Sequence, residues 1–218
     1  MMPQLPGESD MEKVYDAVKQ AQSFRQKYGK IQPSFLAVVY PVRERRHAME
    51  GENKLRVYLE TSFVSYLTGG ATPNAKIAAD QAYTRQWWEC EKDKVDVFVS
   101  GYTLSECEDG NPSKSAERMN AIRGVAVLPD NTEAVVSLAR KLIDGHALPD
   151  GETTDALHIA TAVVNGMDVL LTWNCKHMAN PHTLPRTRQI ISAEGFFCPA
   201  IMTPKTFIEN TQMEVEHV

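Results

Sequence analysis

From Leu55 onward the chain alternates short apolar runs with segments of helical periodicity, and this alternation constrains its fold more than any other feature. The runs are "LRVYL" (Leu55 to Leu59), "VDVFVS" (Val95 to Ser100), "VAVL" (Val125 to Leu128) and "DVLLT" (Asp168 to Thr172), with "CPAIM" as a fifth, edge strand. Helices are expected over Ser62 to Leu67, Pro73 to Lys92, Tyr102 to Cys107, Pro112 to Ile122, Thr132 to Ile143, "TTDALHIATAVVNG" up to Gly166, and Leu184 to Glu194. "TPKTFIE" opens a last helix, with Thr203 as its cap and Pro204 in its first turn. Strands alternating with helices imply an α/β protein with a mostly parallel central sheet.

Composition agrees with an ordinary globular chain. Of 218 residues, 43% are hydrophobic and 23% charged. A net charge of −5 argues against a generally basic nucleic-acid coat, though not against a local basic groove or an acidic site offset by a cation. The four cysteines form no C-x-x-C pair and no zinc pattern, so free thiols in a reducing cytoplasm are expected. Neither a signal peptide nor a membrane-length apolar run is evident.

Three units are expected. Residues 1–53 form an N-terminal extension with one amphipathic helix, Asp10 to Tyr28, an apolar run "SFLAVVY" and a polar linker. Residues 54–210 form the main domain, and residues 211–218 a tail. Met49 lies close upstream of the domain and is a natural alternative start. The extension is then either an upstream reading-frame addition or a segment that masks the domain in cis.

In parallel α/β sheets the working crevice lies at the carboxyl ends of the strands. Four polar residues are expected there: Glu60 after the first strand, Glu106 after the second, Asp155 in the first turn of the helix before the fourth, and Asn174 after the fourth. Taken singly, each has an ordinary explanation. An acid suits a helix start, an acidic turn suits solvent, and an asparagine closes turns. Taken together they describe an oxygen-rich site for a hard cation, Mg2+ or Mn2+. His158, one turn from Asp155, reads as a core or rim histidine. Trp173 reads as a packing residue with base stacking as the alternative, Trp87 and Trp88 as core or dimer contacts, and Cys175 as incidental.

At these residues the sequence resembles the PIN-domain family, in particular the VapC-like toxins of toxin–antitoxin pairs. The matching segments are "VYLETSFVSYL", "FVSGYTLSE", "TDALHIATAVVNGMDVLLTWNCKHMAN" and "CPAIMTPKTF", in family order, over about Leu55 to Glu209. The resemblance implies a three-layer α/β/α sandwich on a parallel sheet of four to five strands, and Mg2+- or Mn2+-dependent endoribonuclease activity. It places Glu60, Glu106 and Asp155 as metal-binding acids and Asn174 where many members carry another Asp. Ser62 and Thr172 fall where the family sets hydroxyls beside the site.

Two departures stand out. Glu60 replaces the usual Asp and reaches one methylene further, and Asn174 offers an oxygen without charge. In-line hydrolysis of an RNA phosphodiester by a cation-activated water is the implied reaction. The acid-free stretch after Asn174, with Lys176, Arg186 and Arg188, either meets the RNA backbone or forms an ordinary solvated helix face. The implied partners are RNA, a cognate antitoxin and a second copy of the chain, in the cytoplasm and without a membrane. The competing expectation is a catalytically silent PIN-like module that binds RNA or protein.

Overall fold

The computed structural model describes residues 54–149 and 151–215. The expected N-terminal helix, apolar run and linker, and Met49, lie outside the described residues.

Five strands form one sheet: β1 (Arg56–Leu59), β2 (Asp96–Ser100), β3 (Ala126–Leu128), β4 (Val169–Leu171) and β5 (Ala200–Met202), in the order β3-β2-β1-β4-β5. Every pairing is parallel. Eight α-helices are found among the described residues: α1 (Thr61–Leu67), α2 (Ala75–Cys90), α3 (Gly101–Glu108), α4 (Pro112–Ala121), α5 (Glu133–Asp144), α6 (Thr153–Val164), α7 (Leu184–Ala193) and α8 (Pro204–Val215).

Side chains on a strand alternate between faces, and both faces of this sheet are covered. Val57, Leu59, Val99, Val169 and Leu171 share one core with Phe63 and Val64 of α1, Trp87 of α2, Cys107 of α3, and Phe207 and Ile208 of α8. Tyr58, Leu170 and Ile201 face the other way, against α5, α6 and α7. The molecule is thus a three-layer α/β/α sandwich on a five-stranded parallel sheet, as expected, with β5 at one edge.

Side-chain caps fix where the helices begin. Asn74 accepts from the N–H groups of Lys76 and Ile77, so α2 starts two residues later than the sequence pattern suggested and ends at Cys90, before a tight turn at Lys92–Lys94. Ser100, Asn111 and Thr132 cap α3, α4 and α5 in the same way. Gly166, at φ 65°, takes the left-handed conformation that ends α6 and turns the chain into β4. The last helix, opened at Pro204, runs to Val215. Cys90, Cys107 and Cys175 are free thiols. Among the described residues no helix is long and apolar enough to cross a membrane.

The chain runs from β1 outward to β2 and β3, then crosses back to lay β4 on the other side of β1. The strand order therefore reverses between β1 and β4, and the carboxyl ends of these two strands border the crevice where α/β sheets bind ligands.

Candidate active site

Glu60 follows β1 directly and caps α1. Its Oε1 accepts the Ser62 N–H at 3.0 Å. Oε2 accepts the Thr172 hydroxyl at 2.7 Å and the Ser62 hydroxyl. The cap is normally a shorter side chain. The extra methylene of Glu allows one carboxylate to serve the helix start and still reach Thr172 beyond β4. The residue is only 6% exposed, and the α1 N-terminus favours its charge. Ser62 Oγ in turn accepts the Trp173 N–H at 2.7 Å, and Thr172 Oγ1 accepts the Asn174 N–H at 2.9 Å. Ser62 and Thr172, expected beside the substrate, thus hold Glu60 and tie β1 to β4.

Glu106 lies on α3. Its Oε2 accepts from the Thr61 hydroxyl and from His158 Nε2, the latter at 3.0 Å. Burial raises its pKa, but the bonds from His158 and Thr61 outweigh it and hold the carboxyl below its ordinary value. The other ring nitrogen, His158 Nδ1, lies 2.6 Å from the Tyr58 hydroxyl oxygen. The Tyr58 oxygen lies 2.7 Å from Ser100 Oγ, and burial keeps its phenol protonated well above the ordinary range. Thr103 Oγ1 donates to the Leu59 carbonyl and so leaves the Ser100 hydroxyl to donate to Tyr58. A buried relay therefore runs from Ser100 through Tyr58 and His158 to Glu106.

Asp155, in the first turn of α6, is anchored through Oδ2. That oxygen accepts the Asn174 amide at 2.7 Å and lies 3.1 Å from His177 Nδ1. Burial lifts its pKa above the usual value. Bonds from His177 and Asn174 pull it down, while the charges of Glu60 and Glu152 push it further up. The amide oxygen of Asn174 accepts the His177 N–H at 3.0 Å, so both ends of this side chain are used within the protein.

The ligand atoms of Glu60, Glu106 and His158 lie within 4.8 Å of one another, as do those of Glu152, Asp155 and His177. Asp155 thus falls in a second tight group, coupled to the first through the field of Glu60. Arg186 is engaged with the Gly145 carbonyl at 2.9 Å and with Gln189, while Lys176 and Arg188 are exposed. Trp87 is core, and Trp88 packs on Phe63.

The sequence alone does not mark Thr61, Glu152 and His177 as neighbours of the acids, nor Tyr58 as the partner of His158, which it gives as a core or rim histidine. His158 is 1% exposed, so the core reading held, but its ring also touches Glu106. Its spacing of three residues from Asp155 on one helix was the available signal.

The donor chemistry fits a hard divalent cation. Each carboxylate is fixed mainly through one oxygen. Among the described residues no hydrogen bond falls on Glu106 Oε1 or Asp155 Oδ1, and Glu60 Oε1 accepts only one. Oxygen ligands of this kind suit Mg2+ and Mn2+, and a cation would relieve the repulsion that raises Asp155. Both tight groups also contain an imidazole, but each ring nitrogen that faces the acids already lies against a carboxylate.

No family model matches the chain, and no curated protein matches it. Among solved structures it is similar to the crystal structure of Mycobacterium tuberculosis VapC20, a toxin that cleaves the sarcin–ricin loop. The two chains share 16% identity with a TM-score of 0.42, over 65% of this chain and 96% of that one. A likeness of this degree assigns no residue role and no activity to the present chain.

Proposed function

We propose that the chain is a PIN-like, Mg2+- or Mn2+-dependent endoribonuclease of the VapC type. The observation that carries this reading is that two acidic groups, one with Glu60 and Glu106 and the other with Asp155, lie close enough for the charge of Glu60 to act on Asp155, and that Glu106 Oε1 and Asp155 Oδ1 accept no hydrogen bond among the described residues. The sequence resemblance over Leu55 to Glu209 supplies the substrate class.

Glu60, Glu106 and Asp155 would hold the cation. When bound, a divalent cation stabilises charge on phosphate oxygens and lowers the pKa of water at neutral pH. The chain's own part is positional. Thr172 and Ser62 fix Glu60, His158 and Thr61 fix Glu106, and Asn174 and His177 fix Asp155. The phosphodiester is then presented in line to water, which attacks phosphorus as the bond to the opposite sugar oxygen breaks. Asn174 acts here by orienting Asp155. On the same reading the physiological partner is an antitoxin protein, the toxin is a homodimer, and it works in the cytoplasm.

A second reading, a silent PIN-like module that binds RNA or protein, is favoured by one observation. The Glu60 carboxylate accepts three hydrogen bonds and is well satisfied without a cation. Labelled RNA incubated with the full chain separates the two. The nuclease reading expects cleavage in Mn2+ or Mg2+, none in EDTA, and a loss of roughly 100-fold or more in Glu106→Gln, the scale of removing one electrostatic stabilising group. Binding without EDTA-sensitive cleavage supports the silent module.

A further inference from the structure

Beside the acids sits a pair of aromatic rings that the cleavage chemistry does not use. Trp173 immediately follows Thr172, and its backbone N–H donates to Ser62 Oγ at 2.7 Å, one hydrogen bond from the Glu60 carboxylate. Its indole Nε1–H is taken by Thr84 Oγ1 at 2.8 Å, on a threonine with no exposure. Its ring stacks on Tyr66, with centroids 5.5 Å apart and planes at 21°. Ser62 and Tyr66 are four residues apart on α1, so the ring pair is in register with the acid site, about one helical turn or ~5 Å along.

Both rings remain partly exposed. The polar edge of the indole is spent on a buried partner and one ring face lies near Tyr66, so the surface left over is apolar π-surface. A ring clamped in this way has lost its rotational freedom before any ligand arrives, which lowers the cost of stacking on it. The other tryptophans differ. Trp87 is fully buried, and Trp88 is covered by Phe63 and by the Lys92 ammonium, 5.0 Å from its ring.

The flank beside the rings carries charges of both signs. Burial holds the Asp80 carboxyl beside Tyr66 above its usual range, and the nearby Lys76 and Lys205 ammonium groups pull the other way. Lys76 also acts on Cys175, two residues beyond Trp173. Lys205 is also paired with Glu209 at 3.6 Å, while Lys76 is exposed.

We infer that Tyr66 and Trp173 form a stacking platform for an unpaired nucleobase adjoining the cleaved phosphate. This rests on the ribonuclease reading for its substrate class, and adds which side chains receive the base beside the cut. Base stacking on an aromatic side chain is sequence-tolerant, so the platform selects unpaired over paired RNA rather than one base over another.

The test is tryptophan emission of the full chain titrated with a short single-stranded RNA in Ca2+ buffer. The same RNA carrying abasic sites serves as the control, and RNA cleavage is assayed separately in Mn2+. The platform predicts saturable quenching by intact RNA, lost in Trp173→Leu. It also predicts affinity lower by roughly 5- to 100-fold for the abasic RNA and for Trp173→Leu and Tyr66→Leu. Should Trp173→Leu fail to fold, the abasic comparison on the unaltered chain decides alone. Equal binding of intact and abasic RNA overturns the platform, as does an absence of quenching in the unaltered chain. Cleavage that persists with either result leaves the nuclease reading standing, whereas base-dependent quenching without cleavage keeps the platform and removes the nuclease.

Discussion

Asp155 concentrates the account at the scale of a single residue. Its carboxyl is held above the usual range by burial and by the charges of Glu60 and Glu152. A raised carboxyl pKa contributes stability below the unfolded value that is lost as pH rises through the folded one. Asp155→Asn is therefore expected to raise the melting temperature of the metal-free protein at neutral pH, read by thermal unfolding in EDTA, while removing cleavage. Glu106 has the opposite sign. Its lowered pKa stabilises the fold above the unfolded value, a contribution lost on acidification through the folded one. Glu106→Gln should therefore flatten the acid limb of the stability–pH curve. His158→Ala removes one partner of the buried Tyr58 hydroxyl, leaving Ser100 and Thr103, and takes a hydrogen bond from Glu106; it is expected to cost about 1–3 kcal/mol by denaturant unfolding. Glu60→Asp retains charge but shortens the reach to Thr172, so cleavage should change while the helix cap survives.

The elements matter because Glu60 owes its position to the end of β1, Asp155 to the first turn of α6, and Glu106 to the second turn of α3. α3 begins where Gly101 lies against Asp130, whose carboxylate accepts the Tyr102 N–H at 3.0 Å. A Cβ at Gly101 would meet Asp130 Oδ2 at 2.8 Å. Gly101→Ala is expected to destabilise the fold by about 1–3 kcal/mol, seen as a lower denaturation midpoint, and to shift the helix that carries Glu106. At this scale the sequence was informative. The apolar runs marked all five strands, and the order of elements followed from them. Helix ends were less legible, because a cap such as Asn74 outweighs the pattern by a residue or two. The site was legible only in part. Glu60 at a strand end and Asp155 in a first turn follow from chain position along a parallel sheet, whereas Glu106, expected at a helix entry, lies in the second turn of α3. Their division into two groups could not be foreseen, nor could the relay through Tyr58 and His158. Both depend on which side chains on opposite elements meet, and local sequence does not encode that.

For the whole molecule, the reversal of strand order between β1 and β4 makes one crevice serve acids drawn from distant parts of the chain. Metal-free, that crevice gathers like charges in a partly buried space. A divalent cation bound only by the folded state would then add stability by mass action, about 2.7 kcal/mol at one hundred times its dissociation constant. Thermal unfolding should show a rise with Mn2+ in the unaltered chain and little in Glu106→Gln. The most direct test of the central claim is the rate of RNA cleavage by the full chain against Mn2+ concentration, measured beside Asp155→Asn with both proteins shown to be folded. The account predicts saturable, EDTA-sensitive cleavage in the unaltered chain and none above background in Asp155→Asn. Cleavage of RNA by Asp155→Asn as fast as by the unaltered chain would contradict it.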